Sequence, residues 1–83
     1  MSDYEMGMNI KRLKRIADYT EKHGTRPTTA ALGADCNMKE YHQLRQALAF
    51  LEKEGLILRH PDDSWGWSVT AKGRGFIHAW RIG

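Results

Sequence analysis

The stretch TTAALGADCNMKEYHQLRQALAFLEKEGLILRHPDDSWGWSVT, residues 28–70, decides how this chain folds. A short helix is predicted over Thr28 to Leu32, followed by a turn at Gly33-Ala34-Asp35-Cys36. Asn37 is a good helix N-cap, and Glu40 three residues on completes a capping-box pattern. Tyr41, Leu44, Ala47/Leu48 and Leu51 then recur at the spacing of one buried helical face. Together these signals predict a long amphipathic helix from Asn37 to Glu54. It stops at Gly55, a residue type that accepts left-handed backbone. Two strands, Leu56-Ile57-Leu58-Arg59 and Trp65 to Val69, enclose a polar loop, Pro61-Asp62-Asp63-Ser64. Alternation puts Trp65, Trp67 and Val69 on one face of the second strand, over the helices, with Gly66, Ser68 and Thr70 on the other.

Upstream, Met6, Ile10, Leu13, Ile16/Ala17 and Thr20 mark a helix from Met6 to His23 with one apolar stripe, ended by Gly24. Thr25-Arg26-Pro27 supplies one extended segment against the hairpin, and Thr28 or Thr29 caps the helix after it. Downstream, Thr70 caps a final short helix with apolar residues Phe76, Ile77 and Trp80. Gly73 and Gly75 weaken that helix by about 1 kcal/mol each relative to Ala unless packing or a close backbone approach compensates. Residues 1–5 are expected to be disordered, and 6–83 to form a single domain.

The size of the chain, 83 residues, leaves room for one small domain. Its 41% apolar content, including three Trp, is enough for a single compact core. The lone Cys36 cannot form an intrachain disulfide, which fits a reducing compartment. The polar start Met-Ser-Asp-Tyr-Glu has no apolar run behind it, so neither a signal peptide nor a spanning helix is expected and the default location is cytoplasmic. A net charge of +3 and a pI near 9.2 lean toward a polyanionic partner. Lys11, Arg12, Lys14 and Arg15 cluster on the first helix, and Lys72, Arg74 and Arg81 near the last.

Helix, tight turn, second helix and β-hairpin in this order describe a winged helix-turn-helix, whose second helix is shaped to enter a major groove. The expected class is α+β, mostly α: a three-helix core, a two- or three-stranded β-wing and a short C-terminal helix. The residues Leu51-Glu52-Lys53-Glu54-Gly55-Leu56-Ile57, then Arg59, then Val69-Thr70-Ala71-Lys72-Gly73 resemble the winged-helix bacterial regulators of the MarR, PadR and ArsR kind. In those families a similar helix end leads into the wing and a similar Thr-x-Lys-Gly step leads out of it. The resemblance covers roughly residues 25 to 75 and implies a DNA-binding transcriptional regulator acting as a homodimer. The chain departs from the pattern in lacking the long flanking helices of MarR-type proteins, which argues against a small-molecule sensor. It departs again at the wing tip, where Pro61-Asp62-Asp63-Ser64 replaces a basic tip and should be repelled by phosphate.

With Tyr41 and Leu44 facing inward, the helix from Asn37 presents Lys39, His42, Gln43, Arg45 and Gln46 outward as base- or backbone-contacting residues. Arg and Gln carry paired hydrogen-bonding groups that match guanine and adenine edges, although such residues also cover any solvated helix face. Arg59, His60 and Lys72 flank the wing as phosphate contacts. Thr28 and Thr29 stand where hydroxyls and helix-start N–H groups meet a phosphate, a role compatible with capping. The basic run on the first helix reads more simply as a solvated face. Phe76, Ile77 and Trp80 form either a dimerisation surface or ordinary core. Trp65, were it exposed, would mark a protein contact.

No chemistry is expected. Cys36, His42, His60 and His78 show no metal-ligand spacing, and Cys36 with His42 lacks a third group to make a nucleophile–base pair. Gly73-Arg74-Gly75 lacks the context of a phosphate loop. The expectation is therefore a regulator of double-stranded DNA with no cofactor, no metal and no membrane. Its rivals are an adaptor that binds a protein through the wing and a nucleic-acid binder without sequence preference.

Overall fold

A computed structural model of the chain describes residues 3–62 and 65–82. The order of elements is α1 (Asp3–His23), α2 (Thr29–Leu32), α3 (Met38–Lys53), β1 (Ile57–His60), β2 (Gly66–Val69) and α4 (Ala71–Ile82). The class is α+β and mostly helical, with one two-stranded antiparallel sheet. Met1 and Ser2 of the expected disordered terminus and Asp63 and Ser64 of the expected wing tip lie outside the described residues, as do the side chains of Met6, Arg81 and Ile82.

Local signals act where the sequence puts them. The Asn37 side chain accepts from the Glu40 N–H at 2.8 Å and starts α3. Thr28 accepts from the Ala31 N–H at 3.1 Å and starts α2, while the Thr70 hydroxyl accepts from the Gly73 N–H at 3.1 Å at the head of α4. Gly24 and Gly55 follow α1 and α3 with φ of 71° and 76°, the left-handed conformation that terminates a helix. Helix α1 begins at Asp3, ahead of the apolar periodicity that opens at Met6.

The core is one cluster. Leu13 and Ile16 from α1, Leu32 from α2, and Leu44, Leu48 and Leu51 from α3 meet Leu56, Ile57, Trp67 and Val69. In the hairpin Ile57 pairs with Val69 and Arg59 with Trp67, so these four share the face over the helices, and Leu58 and Ser68 pair on the other. The Thr25–Pro27 segment runs beside β2 as expected: the Trp67 N–H donates to the Pro27 carbonyl at 2.8 Å. Backbone approach there is so close that a Cβ on Gly66 would lie 2.5 Å from Arg26 Cβ.

Two expectations are corrected. The helices among the described residues are four, and the last is not a short appendage to a three-helix core. Helix α4 is 12 residues long and packs along α1, with Ile77 against the central cluster. Its first turn is seated on the end of α3, where a Cβ on Gly73 would fall 2.3 Å from the Leu56 carbonyl oxygen. Nothing lies within 4 Å of the same position on Gly75. The second correction concerns Trp65, which alternation placed in the core beside Trp67. The strand starts one residue later, at Gly66; Trp65 has φ 61° and is 59% exposed, whereas Trp67 is 1% exposed. Pairing ends at His60↔Gly66, so Trp65 belongs to the turn and strand alternation no longer governs it.

Candidate nucleic-acid interface

The site is built around the buried Trp67. Its indole N–H donates to the Thr29 hydroxyl at 3.0 Å, fixing the start of α2 to the hairpin. Directly across the sheet, the Arg59 guanidinium carbon lies 4.6 Å from a Trp67 ring centroid and 5.9 Å from that of Trp65. A guanidinium over an indole face is attracted by the ring quadrupole, and its in-plane N–H donors stay open to a ligand. Among the described residues no carboxylate pairs with Arg59 or Arg45.

On α3, His42 and Gln46 are one turn apart and joined by a 3.2 Å hydrogen bond between Nε2 atoms. With Arg45 and Ala49 they form one wall of a groove of about 360 Å³, with Thr29 and Arg59 opposite and Leu48 and Trp67 also lining it. The lining has two guanidinium groups, an imidazole, an amide and a hydroxyl but no carboxylate. Such a surface favours an anion, and its paired donors suit phosphate oxygens or guanine edges.

Five of the residues singled out in sequence thus come together: Thr29, His42, Arg45, Gln46 and Arg59. Thr28 and Asn37 spend side-chain oxygens on capping. Lys39 and Gln43 are exposed on α3, outside the groove lining. His60 faces the other side of the sheet, where its Nε2 is 2.7 Å from Ser68 Oγ. Lys72 stands apart: its ammonium donates to the Glu54 carbonyl at 2.9 Å and closes the C-terminal end of α3. That end lies about 7.5 Å along the helix axis beyond Ala49, the last groove-lining residue of α3, and Lys72 is not part of the lining. The ammonium satisfies a carbonyl at the negative pole of the helix, so its first role is structural.

Sequence reasoning missed the organising role of Trp67, although its cross-strand pairing with Arg59 follows once the hairpin register is set. It also passed over Met38, 92% exposed at the first position of α3. The predicted dimerisation residues divide. Ile77 packs on the core, while Phe76 and Trp80 are 37% and 50% exposed. Phe76 borders a second, apolar cavity of about 300 Å³ with Ile10, Leu13, Phe50 and Leu56. Among the described residues no group of three or more His, Cys, Asp or Glu side chains is placed to hold a metal, and no helix is long and apolar enough to cross a membrane. Comparison with protein-family models, with curated proteins and with solved structures gives no match to this chain.

Proposed function

We propose that the four helices and the hairpin form a winged helix, and that the chain is a small DNA-binding transcriptional regulator working in the cytoplasm. Helix α3 enters the major groove of duplex DNA, with Arg45 and Gln46 reading base edges and His42 beside them. Thr29 and Arg59 hold a flanking phosphate. The observation that carries this reading is the carboxylate-free groove joining α2, α3 and the hairpin, with Arg59 held over Trp67 and left open to an anion. The uncovered Phe76 and Trp80 on α4 support a homodimer through that helix, which would double the reading surface on a palindromic site.

Fluorescence anisotropy on a pool of random duplexes at several salt concentrations, followed by a selection round, tests the proposal. Binding that falls steeply with salt and enriches a palindrome is the expected result. Binding that falls with salt and enriches nothing would move the protein to the sequence-independent class. No binding even at low salt overturns the reading.

A second reading is favoured by one pair of observations: Trp65 is exposed at the hairpin, and the tip residue Asp62 is acidic and exposed. An exposed aromatic beside an acidic turn suits a protein partner, because aromatic residues dominate interface hot spots. A stoichiometric protein complex lost in a Trp65→Ala variant, with duplex affinity no better than millimolar at physiological salt, would establish an adaptor.

A further inference from the structure

Trp65 combines three properties that a residue kept for packing would not need. It is 59% exposed, so it contributes little to the core. Its φ of 61° is the sole positive value among the described non-glycine residues, and a bulky L side chain pays for that conformation in steric strain. Glycine or asparagine would occupy the position with less strain. Thirdly, its ring neighbours the Arg59 guanidinium, whose carbon lies 5.9 Å from the Trp65 centroid and 4.6 Å from that of Trp67. Strain of this kind persists where a function requires the side chain to point a particular way.

We propose that Trp65 and Arg59 form one composite contact with a DNA strand, the indole lying against the deoxyribose and base edges while the guanidinium neutralises the adjoining phosphate. This rests on the DNA reading above and adds to it an uncharged residue beside Arg59. The charges choose the occupant. The lining of the groove has Arg45, His42 and Arg59 without a carboxylate, so a phosphate strand lying in it is drawn to Arg59. Asp62, exposed in the same turn three residues before Trp65, repels phosphate, so the turn can meet that strand only through its uncharged indole. The turn thus engages DNA through its aromatic face and not through its carboxylate.

The test compares wild type, Trp65→Asn and Trp65→Phe, each as the full chain, on the duplex enriched from the random pool. Asparagine adopts left-handed backbone readily, so relief of strain should offset the lost ring–guanidinium attraction and leave the melting temperature equal to or above that of wild type. DNA affinity should nevertheless fall about tenfold, the scale of a lost aromatic contact with a nucleotide. The salt dependence should keep its slope, because no charge is removed, whereas Arg59→Ala should lower the slope by about one. Trp65→Phe should retain most of the affinity. Wild-type affinity in a stable Trp65→Asn protein overturns this proposal and leaves the DNA reading standing. A large drop in melting temperature with unchanged affinity overturns it in favour of a packing role. Failure of wild type itself to bind any duplex overturns both.

Discussion

The face built by α3 and the hairpin differs from the face built by α1 and α4 in how its surface is finished. On the first, polar groups are tied to one another over a buried indole: Trp67 to Thr29, Arg59 over Trp67, His42 to Gln46. On the second, α4 is anchored by backbone, with Gly73 against Leu56 just past the end of α3, and the outer stripe of Phe76 and Trp80 is left half in water. A polar surface held in place by buried anchors is pre-organised for a polar ligand, since less side-chain freedom is lost on binding. An aromatic stripe without polar anchors gains most by meeting another apolar surface. The two faces therefore suit different partners.

The comparison breaks most severely at Trp67. Its replacement by Ala should cost about 3–5 kcal/mol, because it removes a fully buried ring and leaves Thr29 and Arg59 without their anchor. That loss is comparable to the whole stability of a small domain. Urea unfolding followed by circular dichroism measures it, and a cost below about 1 kcal/mol would deny Trp67 the central place assigned to it. On the opposite face, Gly73→Ala should destabilise by about 1–3 kcal/mol, because its Cβ meets the Leu56 carbonyl and α4 must shift to admit it. An unchanged urea midpoint would mean that α4 is not seated on the end of α3.

Smaller effects sharpen the contrast. Arg45→Ala should leave the fold intact and weaken binding to the selected duplex by about 1–3 kcal/mol, with relaxed preference at one base pair. Unchanged affinity and preference would remove Arg45 from the reading surface. Gly75→Ala should stabilise the protein by up to about 1 kcal/mol, since its helical position has open space for a methyl group. A fall in melting temperature on that substitution would contradict the open space beside α4.

Much of the fold was legible because its signals are local. The Asn37 cap with Glu40, the stops at Gly24 and Gly55, and the stripe through Leu44, Leu48 and Leu51 depend on neighbours within a turn or two. The candidate site was legible in part. Residue type nominated Arg45, Gln46 and Arg59, but it nominated Lys72 equally, and only the path of the chain sends that ammonium to the Glu54 carbonyl. His60 was nominated by type and position too, and one step along a strand reverses the face: the register turns it toward Ser68.

Trp65 marks the boundary between the two kinds of information. Sequence alone determined which segments become helix or strand, where they are capped and which stripes are apolar, because these follow from backbone preferences and short-range periodicity. Tertiary structure decided where the strand pairing stops, and so whether an indole is buried like Trp67 or turned into water like Trp65. It also decided which glycine is indispensable: Gly73 and Gly75 share one helix, but only Gly73 lies under the backbone of Leu56. Both outcomes depend on how distant segments approach, which no local pattern encodes.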